Sequence, residues 1–143
     1  MNLKNFQLYG DGISIEWEGQ NLDLHNNFCF ESLHYALQLK QVEAVWICST
    51  EHWASDVTLP GLMLVFKDVS FFRVKERDEA YPFTEDGCLA IVSFHSALDR
   101  DEFDSISLEA GSDDDLTFFF QSEWGFKVNA KSVELISLSD SDS

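Results

Sequence analysis

The sequence predicts a mainly β fold, a two-layer antiparallel sandwich or partly open barrel with little helix. Three observations carry this expectation. Apolar and polar residues alternate with period two over several short segments, and β-branched and aromatic residues fill those segments. Turn signals then separate them at intervals of roughly ten residues, the spacing of sandwiches and barrels. A parallel α/β sheet would need intervening helices, and the chain offers almost no helical pattern.

Taken in order, residues 6–9 and the alternating run Ile13, Ser14, Ile15, Glu16, Trp17 flank Asp11-Gly12, a turn signal, so the chain opens with a hairpin. Over residues 33–39, Leu33, Tyr35, Leu37 and Leu39 share one face of a strand. A helix is the rival there, but Leu33, Ala36, Leu37 and Lys40 give only a ragged 3.6-residue pattern. Residues 42–49 form another apolar run. Pro60-Gly61 marks a turn before two strands, 62–66 and 69–74, joined at Lys67-Asp68. Further strands are expected at 89–94, 105–108, 116–121, 126–128 and 133–138, which makes residues 1–138 a single β-rich domain with a frayed acidic tail at 139–143.

Length and composition set the outer limits. A chain of 143 residues suits one core without staples. Cys29, Cys48 and Cys88 are odd in number and flanked by large apolar residues or Gly, so buried free thiols are expected rather than a disulfide framework. With no apolar run of signal-peptide or membrane-spanning kind, the expected location is cytoplasmic, with no membrane partner.

Charge is the most informative quantity. Nine basic residues against 26 acidic ones leave a net charge of −17, which speaks about association rather than fold. Nucleic acid is disfavoured as a partner, because phosphate binding draws on clustered Lys and Arg and here they are dispersed. Only Arg73, Lys75 and Arg77 form a row. With Glu76, Asp78 and Glu79 alongside, that row reads as a salt-bridged strand edge that discourages sheet-to-sheet pairing. Carboxylates gather at residues 76–87, 99–104 and 113–115, yet none of these segments has the ligand spacing of an EF-hand loop. Surface acidity of this kind also serves proteins of salt-tolerant organisms with no partner involved.

Motifs for chemistry are missing. His25, His34, His52 and His95 lack metal-ligand spacing, so no metal and no cofactor is expected. Gly-x-Ser-x-Gly and Gly-rich phosphate loops are absent, and no Cys sits in an activating context. The aromatic runs 71–72 and 118–120 read as core filling. His52-Trp53 is the most suggestive local group, an aromatic beside an ionisable ring.

Two stretches resemble a known kind of protein: residues 64–69, Leu-Val-Phe-Lys-Asp-Val, and the closing stretch from Phe118-Phe119-Phe120-Gln121-Ser122 through Gly125-Phe126-Lys127-Val128-Asn129-Ala130 to Val133-Glu134-Leu135. They are similar to the closing strands of small, acidic, β-rich bacterial proteins, some of which are similar to immunity proteins of toxin systems. The resemblance implies inhibition by binding, an acidic face occluding the basic surface of a toxin. It lies in strand patterns and carries over no functional residue.

The expected function is therefore non-catalytic binding of a basic protein partner. Glu76, Asp78, Glu79, Glu85, Asp86, Asp113, Asp114 and Asp115 would steer that partner, with Trp53, Tyr81 or Trp124 as anchors. Two alternatives stay open: a small-molecule-binding or enzymatic domain with an aromatic-lined pocket, and a structural homodimeric subunit.

Overall fold

The computed structural model describes residues 1–49, 59–107, 111 and 113–138. Its spine is a pair of long antiparallel strands, β7 (Gly61–Lys75) and β10 (Gly125–Leu138), in register from Gly61 opposite Leu138 to Lys75 opposite Gly125. β6 (Gln41–Cys48) and then β5 (Phe28–Ala36) extend the sheet from the first part of β7, where β6 reaches Phe66. β9 (Asp115–Phe120) and β8 (Leu89–His95) extend it from the first part of β10, where β9 reaches Val128. The two added pairs sit at opposite ends of the spine, so the sheet is stepped. A short β1 (Asn2–Leu3) lies parallel to β10 at Ser132 and Val133.

This sheet curls until its wings meet. The Phe30 ring of β5 lies 5.0 Å from Phe120, 5.5 Å from Trp124 and 5.7 Å from Phe126, while Trp46 of β6 lies 5.3 Å from Phe118. Alternation supplies the inner face: Val42, Ala44 and Trp46 on β6 and Leu62, Leu64 and Phe66 on β7 are buried. A second, small sheet of β2 (Phe6–Leu8), β3 (Ser14–Trp17) and β4 (Gln20–Asp23) adds Phe6, Ile15 and Leu22 to the same core. The result is mainly β, a curled and partly open barrel, as its sequence predicts. The one described helical element is a 3-10 turn, Phe83–Gly87.

Several boundaries differ, each for a physical reason. The two strands expected to meet at Lys67-Asp68 are one strand that bends there: Asp68 adopts φ 57° and the register with β10 slips between Asn129 and Ala130. The polar pair marked a bend, not a break. β10 likewise runs unbroken through Asn129 to Ser132, because its partner continues. Residues 105–107 carry no strand, and Leu108 lies outside the described residues, as does the expected tail at 139–143. The thiols are free, but Cys29 is exposed and Cys48 and Cys88 half-buried, so the expectation of buried thiols is corrected: Cys29 alternates with the inward Phe28 on β5. Among the described residues, no helix is long and apolar enough to cross a membrane.

Candidate binding site

Segment 76–87 leaves the end of β7 and forms an open cleft of about 630 Å³ lined by Glu76, Arg77, Glu79, Tyr81, Pro82 and Phe83. Its shape is fixed from beneath. Arg77 donates through Nε to both oxygens of Asp86, at 3.0 and 3.2 Å, and through an Nη to the Tyr81 carbonyl at 2.8 Å. The same guanidinium stacks 4.3 Å from the centroid of Phe83. Asp78 donates its N–H to the Ser122 carbonyl at 2.8 Å, and Trp124 Nε1 donates to the Asp86 carbonyl at 2.8 Å. Burial acts to raise the Asp86 pKa, but the polar Ser122 hydroxyl and the hydrogen bonds and charge of Arg77 hold it below the usual carboxylate range.

Six of the acids and aromatics expected at an interface meet here. Glu76, Asp78, Glu79 and Tyr81 are exposed, and Glu85 and Asp86 are half-buried on the 3-10 turn. Trp124 takes another role: it stacks on Phe120 at 4.4 Å and 6°, so it anchors the segment rather than presenting itself to a partner. Trp53 lies outside the described residues. Phe83, which is 78% exposed, is absent from the residues the sequence singles out; it stands alone between Pro82 and Thr84 in an acidic connection, and that polar, proline-led setting is the signal that it faces outward.

The remaining predicted acids lie elsewhere. Asp113, Asp114 and Asp115 stand at the start of β9, whereas segment 76–87 packs at its end, a separation of about 17–20 Å for a strand of this length. Asp113 is exposed. Asp114 accepts the Gly111 N–H at 2.6 Å. Asp115 is fully buried, paired to Arg100 at 3.1 Å and bonded by Asn129 Nδ2 at 2.9 Å, so its place on a contact surface is corrected. Its carboxylate holds down the connection from β8 to β9, and sequence alone gives no sign of that.

That connection covers a polar face of the sheet. Lys127, Thr117 and Ser93 stand side by side across β10, β9 and β8, and all three are buried. Lys127 Nζ donates to the Asp99 carbonyl at 3.0 Å and sits 3.0 Å from His95 Nδ1. The two ring nitrogens of His95 lie 2.8 Å from the Glu102 and Ser105 carbonyls. Phe103 closes the cover, buried beneath Lys127 at 5.0 Å from its ring. Burial pushes the Lys127 pKa down, opposed by Asp115, Glu102 and Asp99 and reinforced by Arg73. The cluster is spent on holding a loop. The expected row of Arg73, Lys75 and Arg77 is also differently bonded: Arg73 pairs with Asp101 and Arg77 with Asp86, while Lys75 donates to the Glu123 carbonyl.

A further hollow of about 540 Å³ is lined by His25, Cys29, Cys88 and Glu85 among others. Cys88 Sγ lies 3.6 Å from His25 Nδ1, a pairing that invites a nucleophile reading. That nitrogen, however, faces the Leu89 carbonyl at 2.6 Å, and burial with Glu85 and Cys29 pushes the Cys88 thiol up, away from the reactive thiolate. Among the described residues, no group of three or more His, Cys, Asp or Glu is placed to hold a metal ion. Compared with protein-family models, with curated proteins and with solved structures, the chain has no significant match to any.

Proposed function

We propose that the chain is a non-catalytic binding domain that captures a cationic protein partner through segment 76–87, in the manner of an immunity-type inhibitor. The observation that carries the reading is Phe83, exposed between Glu79, Tyr81 and Glu85 on a segment that side chains hold in shape. An exposed aromatic ring that shares a cleft with Glu76 and Glu79, its stacked Arg77 already paired to Asp86, suits a basic surface: the acids accelerate encounter and the ring slows departure. Because Arg77, Asp86 and Trp124 fix the segment beforehand, little ordering is required on contact. The charge of −17 supplies the long-range field.

The test is association kinetics with a basic protein partner recovered by affinity capture on the whole chain and identified by mass spectrometry. A combined Glu76→Gln, Glu79→Gln and Glu85→Gln variant is expected to slow association about tenfold at low salt and little at high salt. Phe83→Ala is expected to speed dissociation about 30-fold, the scale of an interface hot spot. Association indifferent to salt or to the triple variant, or dissociation unchanged by Phe83→Ala, overturns the proposal.

One cavity favours a second reading. Between the small sheet and β8, Leu3, Leu8, Val92, Phe94 and Ile106 line a hollow of about 340 Å³, with the Ser14 and Ser107 side chains at its wall. Its size and apolar lining suit a small hydrophobic ligand. Titration with N-phenyl-1-naphthylamine checks it: fluorescence should rise on binding and fall when Leu8→Trp fills the space, and an unchanged signal removes this reading.

A further inference from the structure

Among the described residues, β7 carries an unpaired backbone edge in the middle of the sheet. β6 accompanies it only from Gly61 to Phe66, and the Lys40 carbonyl then accepts the Val69 N–H at 2.9 Å. Beyond that point β10 still pairs along one side, but among the described residues no strand pairs along the other as far as Lys75. Such an edge is a template for another extended chain.

Its surroundings are apolar and cationic. The turn between β5 and β6 sits at its foot and exposes Leu37 and Leu39 at 72% and 69%, and Val74 on the edge strand is 53% exposed. Tyr35 reaches across to Phe72, their rings 5.0 Å apart. Lys40, Lys67, Arg73 and Lys75 lie along this stretch, four of the nine basic residues of a chain whose net charge is −17. Asp68, Glu76 and Asp101 are close in sequence or contact. The carboxylate of Asp101 is 96% exposed, so its pair with Arg73 yields easily to a better partner. Lys75 is bonded to a neutral carbonyl and lies 5.7 Å from the Phe119 ring centroid, and among the described residues it forms no ion pair.

We propose that this edge is a second docking site, taking an extended segment of a partner protein in which acidic and aliphatic residues alternate. The segment would pair as a strand with residues 70–75, set its aliphatic side chains against Leu37, Leu39 and Val74, and match its carboxylates to Lys40, Arg73 and Lys75. A second copy of this chain is disfavoured as occupant, since two such edges would bring Arg73 and Lys75 against their own kind. The proposal does not depend on segment 76–87.

The experiment uses the whole chain and three synthetic heptapeptides: one alternating Glu and Val, the same peptide N-methylated at alternate residues, and one alternating Lys and Val. Backbone amide shifts and calorimetry are read together. Expected are shifts concentrated at residues 70–75 with the acidic peptide, and binding about tenfold weaker, or 1.4 kcal/mol, for either other peptide. The Arg73→Glu, Lys75→Glu double variant and the Leu37→Ser, Leu39→Ser double variant should each lose a similar factor at unchanged thermal midpoint. Binding that tolerates N-methylation, shifts located elsewhere, or edge amides that respond only to the chain's own concentration each overturn it.

Discussion

In segment 76–87 Glu76, Asp78 and Glu79 are exposed, and Glu76 and Glu79 line a cleft with Tyr81 and Phe83, whereas in the region from Asp99 to Asp115 backbone carbonyls and the Asp115 carboxylate turn inward onto Lys127, His95 and Arg100. Both stretches are acidic connections between strands, and both are clasped by an arginine that bonds an aspartate and stacks on a phenylalanine: Arg77 with Asp86 and Phe83, Arg100 with Asp115 and Phe71. The difference is burial. Asp86 keeps about a third of its side chain in solvent and Asp115 none, so the same three-residue clasp shapes a surface in one place and seals an interior in the other.

The comparison breaks most clearly at Asp115. Replacing it by Ala leaves the Arg100 guanidinium without its carboxylate, takes one of two acceptors from Asn129 Nδ2, which keeps the Asp113 carbonyl, and removes a counter-charge from Lys127, a loss of about 3–5 kcal/mol by analogy with broken buried pairs. Urea unfolding measures it. The exposed neighbour Asp113→Ala should change stability by less than about 0.5 kcal/mol. Equal effects of the two would show that the clasp at Asp115 is no more structural than the surface acids.

Next in size is the seat of the cover. A Cβ on Gly125 would meet the Phe118 carbonyl oxygen at 2.5 Å and Phe103 Cδ2 at 3.2 Å, and the first of these is backbone that cannot swing aside. Gly125→Ala should therefore cost about 1–3 kcal/mol and loosen the connection from β8 to β9, read as faster amide exchange at residues 99–104. Segment 76–87 should keep its exchange pattern.

On the other side of the comparison, a Cβ at Gly87 would stand 4.0 Å from Cys29 Cβ, inside the range a disulfide spans. Gly87→Cys is expected to oxidise with Cys29 and stabilise the fold by about 2 kcal/mol, detected as a midpoint shift reversed by dithiothreitol. If segment 76–87 works as a preformed site, the bridged protein should bind its partner at least as fast as before. Slower binding would mean that the segment must move.

How much of this was legible beforehand follows the range of the interactions. Local alternation marked the strands, as at Ile15 and Trp17, and turn chemistry gave Asp11-Gly12 its hairpin, where Asp11 Oδ1 accepts the N–H groups of Ile13 and Ser14. The acids of segment 76–87 were legible as a group because they are neighbours in sequence. Asp115 reads differently for the opposite reason: its partners are Arg100, in the connection that precedes β9, and Asn129, on the neighbouring strand β10, and neither is adjacent to it in sequence. Lys127 looked like one more dispersed cation, since nothing near it in sequence announces that Phe103 and the Asp99 carbonyl will close over it.

The smallest effects sharpen the contrast through pH, because the two regions shift stability on opposite limbs. Asp86 has a folded-state pKa below the 3.8 of a free carboxyl, so in acid the unfolded chain takes up its proton first. Its stabilisation is present above pH 3.8 and fades as pH falls through the lower folded value. Lys127 is displaced downward from 10.5, so between its folded value and 10.5 the unfolded chain holds the extra proton, and stability rises with pH across that window. Arg77→Leu should therefore make the acid limb shallower, leaving the part that Asp11 contributes, and Lys127→Met should flatten the rise below pH 10.5, in urea midpoints measured across the range. A Lys127→Met profile still rising toward pH 10.5 would mean that the lysine keeps its proton at the surface, and the closed cover over the sheet would have to be open in solution.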